Sequence, residues 1–421
     1  MKVCVFGLWH LGSVTAACLA SLGHEVVGLD SDDRTIEGLN SAKPPLSEPG
    51  LPELVRAGLE SGRLRFTRDV SEALRGAEVV WVTHDTPVDE DDRANVDSVT
   101  SRVESLFDKL DDGTLVLVSS QLPVGSIRRL EAAYGNRKRV TFACSPENLR
   151  LGKAIDAFLR TERIVVGTRS ESDRARISTL LAPLPVPIEW MSVESAEMTK
   201  HALNAFLAAS IAFINEIAAL CEGVDADAQE VARGVKSDAR IGPRAYLTPG
   251  AAFAGGTLAR DVNFLTTLGR PVPLIASIKV SNDAHRAWVQ TALTAALGTL
   301  KGKAVALWGL TYKPGTDTLR RSAAVELCHW LIAEGARVQA HDPAVTSLPK
   351  DLAAVRLCRS PEEALRNTDA LVVATEWPEF RSAPASNAKS AMVVIDPNRF
   401  LASTFGARSD LRYFAVGKGR S

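Results

Sequence analysis

Residues 2–30, KVCVFGLWHLGSVTAACLASLGHEVVGLD, carry the decision about fold class. A β-branched run ends at Gly7, a helical pattern runs from Gly12 to Leu22, and a second strand, EVVGL, closes on Asp30. Strand, tight turn, helix start, strand and acid in that order are what a dinucleotide site requires. The turn and the helix N-terminus face a diphosphate, and the carboxylate takes the adenosine ribose hydroxyls. An acid at position 30 repels a 2′-phosphate, so NAD is favoured over NADP. The expected cofactor-binding residues are Gly7, Leu11, Gly12, Asp30, Arg34 in the next helix, and Thr86 beyond the strand EVVWVT. Two plainer readings stay open: Gly7 and Gly12 as packing glycines between helix and strand, and Arg34 as a solvated charge. Trp9 stands where the fingerprint has its middle glycine. That glycine lets the backbone approach the diphosphate, so an indole there weakens binding unless it turns away.

The same alternation of β-branched runs and helical patterns continues through EVVWVT, LVLVSS, RVTFAC and RIVVG, and predicts a doubly wound parallel sheet buried on both faces. A second set begins after Lys303 with AVALWG, a helix over Ser322 to Glu334, RVQAHDP, ALVVATEW and MVVIDP. Between the two sets lies SVESAEMTKHALNAFLAASIAFINEIAALCEGV, residues 192–224, an alanine-rich helical pattern with apolar residues at three- and four-residue spacing. The expected architecture is α/β: two Rossmann-like doubly wound domains, 1–191 and 301–421, joined by a helical domain, 192–300, with a long central helix. That helix is hydrophobic on more than one side, so a partner subunit is expected to cover part of it.

A chain of 421 residues with 46% hydrophobic and 24% charged residues fits a folded protein of two or three domains. A net charge of -1 supplies no global field for nucleic acid or an anionic membrane, so small-molecule partners are expected. The first residues enter a strand without a basic leader, and no apolar run reaches the roughly 20 residues that cross a bilayer. The expected location is the cytoplasm. Six cysteines are scattered without CxxC or Cys/His ligand spacing, which predicts reduced core thiols and no metal site.

Several stretches together carry a resemblance: DARIGPRAYLTPGAAFAGGTLARD at 238–261, AEMTKHALN at 196–204 running on to FINE at 213–216, SPENL at 145–149, SQLPVG at 120–125, GLTYKPGTDTLR at 309–320 and DPNR at 396–399. They resemble the UDP-glucose/GDP-mannose dehydrogenase family, the nucleotide-sugar 6-dehydrogenases. The resemblance implies a nucleotide-sugar substrate, with a UDP-hexose favoured, and it implies roles. Lys200 and Asn204, at i and i+4 on one helix face, match the pair that stabilises an oxyanion at the sugar's C6. Asp261 matches an aspartate that orients or deprotonates a water, and Glu147 the first glutamate of the family's strand-end loop. Leu149, Gly255, Lys313, Arg320 and Arg399 fall on substrate-binding positions. Arg240 falls on an arginine that reaches a neighbouring subunit, which implies a homodimer. Tyr246 and Phe253 either pack on base or sugar or merely anchor their loop.

The chain also departs from the family pattern. Thr257 stands at the nucleophilic cysteine, Leu151 at the loop's second glutamate, Gln121 at the strand-end threonine and Arg260 at the motif lysine. Oxidation of an alcohol to an acid traps the aldehyde on a thiol, and an unactivated hydroxyl has a pKa far above the roughly 8.5 of cysteine. Cys144 is either a displaced thiol or a buried strand-end cysteine. The first hydride removal keeps Lys200, Asn204 and Asp261; the second oxidation lacks its nucleophile. Two other readings stay open: a redox-neutral, NAD-retaining epimerase or dehydratase, and a non-catalytic protein that binds sugar nucleotides.

Overall fold

The computed structural model describes residues 1–418 apart from 90–92, 136, 148, 150, 255, 385 and 386. The chain forms two compact units, Met1–Leu203 and Asn204–Ser421.

In the first unit β1 (Lys2–Phe6), β2 (Glu25–Leu29), β3 (Leu64–Thr67), β4 (Val79–Val82), β5 (Leu115–Val118), β6 (Thr141–Cys144), β7 (Ile164–Gly167) and β8 (Ile188–Met191) form one sheet in the order β3-β2-β1-β4-β5-β6-β7-β8. Alternate residues feed two apolar layers. Val3, Val5, Val79, Trp81, Leu115 and Leu117 pack on one face, and Cys4, Phe6, Val80, Val82, Val116 and Val118 on the other. This is why these strands read as continuous apolar runs rather than as an alternation. The expected all-parallel sheet has one exception, since β6 and β7 meet antiparallel at Cys144 and Gly167. The order reverses between β1 and β4, which places a crevice at their carboxyl ends.

The second unit repeats the plan with β9 (Ala304–Trp308), β10 (Arg337–His341), β11 (Arg356–Leu357), β12 (Ala370–Val373), β13 (Val393–Ile395) and β14 (Arg412–Phe414), in the order β11-β10-β9-β12-β13-β14. Val305 and Leu307 face one layer; Ala306 and Trp308 face the other.

The long helix spans Val193–Gly223, about 45 Å at 1.5 Å per residue. Its start belongs to the first unit, where Val193 and Ala196 join the sheet's core. Farther along, Ile214 packs with Ala232 and Leu247, and Ala218 and Cys221 with Ala228 and Val416, so the stretch expected as a separate helical domain shares a unit with the second sheet. By length and composition this helix is apolar enough to cross a membrane, which corrects the expectation that no run is; 44% of its most apolar window is buried inside the protein. All six cysteines are buried free thiols.

Candidate active site

The first turn is shaped by what cannot fit in it. Gly7 has φ +98°, and its N–H donates to the Leu29 carbonyl at 2.9 Å. A Cβ at Gly12 would lie 1.7 Å from the Gly7 carbonyl oxygen, so only glycine lets the helix His10–Ser21 start so close to β1. Gly12 is thus a packing glycine and Gly7 a left-handed turn. Thr83 ties the turn to β4, its hydroxyl donating to the Gly7 carbonyl at 2.7 Å. Asp30, half-buried, accepts Leu8 N–H at 2.7 Å and Asp32 N–H at 3.0 Å. A carboxylate has about four acceptor sites, so Asp30 keeps capacity for ribose hydroxyls. Leu11 is buried beneath the turn, whereas Trp9 at the helix N-cap leaves 47% of its surface exposed. Arg34 is exposed, and the Thr86 hydroxyl donates to the Gln121 carbonyl at 2.7 Å.

The second sheet carries the same turn in closed form. Gly309 has φ +94°, and Asp342 at the end of β10 accepts Leu310 N–H at 2.7 Å just as Asp30 accepts Leu8. Asp342, however, also accepts the Thr311 N–H and hydroxyl and the Trp377 indole N–H, each at 3.0 Å, and Ala344 N–H at 2.9 Å. With those acceptors filled, no ribose finds a place there. Of the two turns, only the one at Gly7 fits a dinucleotide.

The strand-end loops of the first unit are held by buried carboxylates. Glu48, 3% exposed, accepts His10 Nε2–H at 2.9 Å, Gly152 N–H at 2.7 Å and Ala154 N–H at 2.8 Å, and so clasps the cofactor turn to the loop that carries Glu147. Glu197 accepts Gly125 N–H at 2.6 Å and Ile127 N–H at 3.0 Å at the start of the helix Ser126–Tyr134, where a negative charge is favoured. One turn on, His201 Nε2 donates to the Leu122 carbonyl at 2.9 Å. Lys200 Nζ donates to the Glu147 main-chain carbonyl at 2.6 Å. The Glu147 carboxylate accepts the Leu149 N–H, and burial pushes its pKa upward against the pull of the Lys200 ammonium. A small cavity of about 70 Å³ connects Leu11, Ser119, Glu147 and Leu149. Cys144 is the buried strand-end cysteine rather than a displaced nucleophile: burial, with Glu197 nearby, pushes its thiol well above the usual range.

In the second unit, Asn204 Nδ2 donates to the carboxylate of Asp261; both are buried, Asp261 completely. Asp261 lies in the helix Thr257–Thr266, four residues after Thr257, which is exposed at the first position beyond the Gly256 N-cap. The glycine-rich loop before it is pinned by side chains far away in sequence. Asn282 accepts Phe253 N–H at 2.9 Å and returns a hydrogen bond to its carbonyl at 3.0 Å. Asn215 accepts Gly250 N–H at 3.0 Å, His285 donates to the Gly250 carbonyl at 2.8 Å, and Asn398 accepts Ala251 N–H at 2.7 Å. Phe253 then walls a cavity of about 450 Å³ with Lys279, Arg286, Ala324, Val373 and Asn398. The cavity opens at the carboxyl ends of β12 and β13 and at the start of the helix Ala323–Ala333, beside the reversal of strand order between β9 and β12. Open α/β sheets bind ligands at that place.

The remaining expected substrate residues lie outside the walls of that cavity. Lys313 is half-buried and Arg320 exposed, on a loop closed by Tyr312 N–H to the Thr318 carbonyl at 2.8 Å. Tyr246 is 56% exposed. Arg240 is exposed and paired bidentately with its neighbour Asp238 at 3.0 and 2.7 Å. Arg399, expected near the nucleotide, gives its guanidinium to Asp227 at 2.7 Å and to the Val416 carbonyl, while the adjacent Asn398 faces the cavity. Gly255 lies outside the described residues.

Sequence reasoning missed Thr83, Glu48, Glu197, His201, Asn282 and Asn398. One signal was legible: in AEMTKHALN, Glu197 and His201 repeat the i, i+4 spacing of Lys200 and Asn204 on a neighbouring face of the same helix.

Residues 1–185 match the NAD binding domain of the UDP-glucose/GDP-mannose dehydrogenase family, residues 194–284 its central domain and residues 306–403 its UDP binding domain. The chain is 35% identical to a UDP-glucose 6-dehydrogenase of Rhizobium meliloti, over 99% of this chain and 100% of the relative. It is 34% identical to one of Pseudomonas aeruginosa, over 100% and 98%. Among solved structures it is similar to a UDP-glucose dehydrogenase from Pyrobaculum islandicum, with a TM-score of 0.87 at 28% identity over 99% of this chain and 98% of the other.

Proposed function

Because the chain belongs to the UDP-glucose/GDP-mannose dehydrogenase family, we propose that it is an NAD-dependent oxidoreductase that removes hydride from C6 of a UDP-hexose. NAD supplies the hydride acceptor, and the Gly7 turn with the open acceptors of Asp30 is the place that fits it. The UDP moiety is assigned to the second unit, whose residues 306–403 match the UDP binding domain.

The observation that carries the chemistry is the Asn204–Asp261 hydrogen bond beside Thr257. Asn204 fixes the Asp261 carboxylate, the group assigned to take a proton from the alcohol or from a water. Lys200, one helical turn before Asn204, supplies an ammonium for the oxyanion that develops as hydride departs. Glu147, its pKa raised by burial, is a second proton acceptor next to Lys200. Thr257 occupies a helix N-terminus that would favour a thiolate, but it carries a hydroxyl. One hydride transfer per sugar, ending at the aldehyde, is therefore the expected outcome.

The long helix presents Phe206, Phe213 and Leu220 at seven-residue spacing with 68%, 51% and 68% of their surfaces exposed. A stripe of this kind supports a homodimer built on two such helices. The net charge of -1 supports a small-molecule enzyme of the cytoplasm with neither nucleic acid nor membrane as partner. The test is to incubate the purified protein with NAD and a panel of UDP- and GDP-hexoses, following NADH at 340 nm (roughly its absorbance maximum, set by the cofactor's own chemistry). NADH formed with a UDP-hexose supports the reading, and turnover of sugar without net NADH would transfer it to the redox-neutral alternative.

A further inference from the structure

One buried imidazole lies against the cofactor turn with a ring nitrogen unpartnered among the described residues. His84 sits two residues beyond β4, beside the end of β1, at the reversal of strand order in the first sheet. Its ring forms the underside of the turn: a Cβ at Gly7 would fall 2.5 Å from Nδ1 and 2.7 Å from Cγ. Phe6 holds the ring edge-on, with centroids 4.4 Å apart and planes at 85°. His84 is 8% exposed, and its Nε2 is wholly buried with no hydrogen-bond partner among the described residues. Asp30 and Arg102 are the charged groups that act on it, Asp30 being the acid expected to hold the ribose.

A neutral imidazole carries one N–H donor and one acceptor nitrogen. Burial, joined by the Arg102 charge, lowers its pKa to about 4 and keeps it in that neutral form. Leaving the buried Nε2 unpaired costs its full desolvation, so an apolar side chain of similar volume would fill the space better unless a ligand completes the set. The turn already gives up its middle glycine to Trp9, and a side-chain contact from below compensates for backbone N–H approach lost from above.

We propose that His84 is a cofactor-contacting residue, hydrogen-bonding the ribose–diphosphate segment of NAD from beneath the Gly7 turn. The inference rests on the NAD reading above and adds a specific side chain to it. A neutral ring also provides no cation for a 2′-phosphate, so it reinforces the preference that Asp30 sets against NADP.

The test is calorimetric titration of the purified full chain with NAD, ADP-ribose and UDP. His84→Val is expected to weaken NAD and ADP-ribose binding by about tenfold, to leave UDP affinity unchanged and to melt no lower than the wild type without ligand. His84→Gln, which restores a donor and an acceptor, is expected to recover part of the loss. Equal NAD affinity in wild type and His84→Val overturns the inference while leaving the NAD reading intact. A wild-type protein that binds no NAD overturns both. A fall in UDP affinity that matches the fall in NAD affinity would mean that His84 serves only the fold, and would overturn the inference alone.

Discussion

Asn204 donates its side-chain amide to the carboxylate of Asp261, and Asp261 has no exposed surface at all. A buried carboxylate that loses such a donor retains its desolvation cost, about 1–3 kcal/mol. Asn204→Ala is therefore expected to lower stability by about that amount and to lower kcat by about a hundredfold through the misplaced base. Asp261→Asn keeps the shape and removes the charge, so it should spare stability more than it spares kcat. Chemical denaturation and steady-state kinetics on both variants check this; equal losses of stability with unchanged kcat would remove the pair from the mechanism.

Thr257→Cys tests whether the hydroxyl is what stops the reaction. A thiol at the first position of the helix Thr257–Thr266 would have its thiolate favoured by the helix N-terminus. The variant is expected to raise NADH formed per sugar from one toward two and to acquire a labelling site for iodoacetamide. An unchanged ratio would place the obstacle elsewhere, at Gln121 or Leu151, where the family pattern is also broken.

Acid should destabilise the fold through its buried histidines. The His84 pKa is about 4 in the folded chain against the ordinary histidine value of 6.5, so between those values the unfolded chain binds a proton that the folded chain refuses. Stability from this group is complete above pH 6.5 and falls as pH drops toward 4, by about 3 kcal/mol in all. His24 and His285 are lowered in the same direction, chiefly by burial, and add to the slope. Urea melts at neutral pH and near pH 4.5 (roughly the lower end of the window in which the linkage acts) should show a smaller pH slope in His84→Val than in wild type.

Glu48→Ala removes one carboxylate from three donors: His10, Gly152 N–H and Ala154 N–H. A destabilisation of about 2–4 kcal/mol is expected, since two of those donors are backbone groups without an alternative. The residues it clasps belong to the cofactor turn and to the loop after Glu147, so the apparent KM for NAD and for sugar should rise together. Thermal melting and kinetics at saturating concentrations of each ligand check both.

How much of this was legible follows the range of the interactions. Strands and their two buried faces were readable from β-branched runs, because burial on both faces leaves a continuous local signature. Lys200, Asn204, Thr257 and Asp261 were singled out because short local motifs resemble those of a known family, so their candidacy, like the strands, lay in contiguous sequence. The roles of Glu48, Asn282 and Asn398 were not, because each is set by a partner far along the chain, 106 residues away for Glu48 and Ala154 and 147 for Asn398 and Ala251. Arg399 shows the converse. Its neighbourhood in DPNR suggested a ligand, but Asp227, 172 residues earlier, takes its guanidinium. Likewise nothing local separates Asp30 from Asp342; the difference is that Thr311 and Trp377 fill the second carboxylate and leave the first open.

Phe213→Glu places a charge in the middle of the exposed stripe on the long helix, between Phe206 and Leu220. If two copies meet there, the variant should run as a monomer in light scattering while keeping its helix content. An unchanged mass would remove this stripe as the subunit contact.

The most direct test of the account is the amount of NADH formed per nucleotide sugar consumed, measured to completion with the unmodified protein, NAD and a UDP-hexose. One NADH per sugar, with an aldehyde at C6 trapped by a hydrazine, is the predicted result. Two NADH per sugar with a uronic acid product would contradict it, by showing that the second oxidation proceeds with a hydroxyl at position 257.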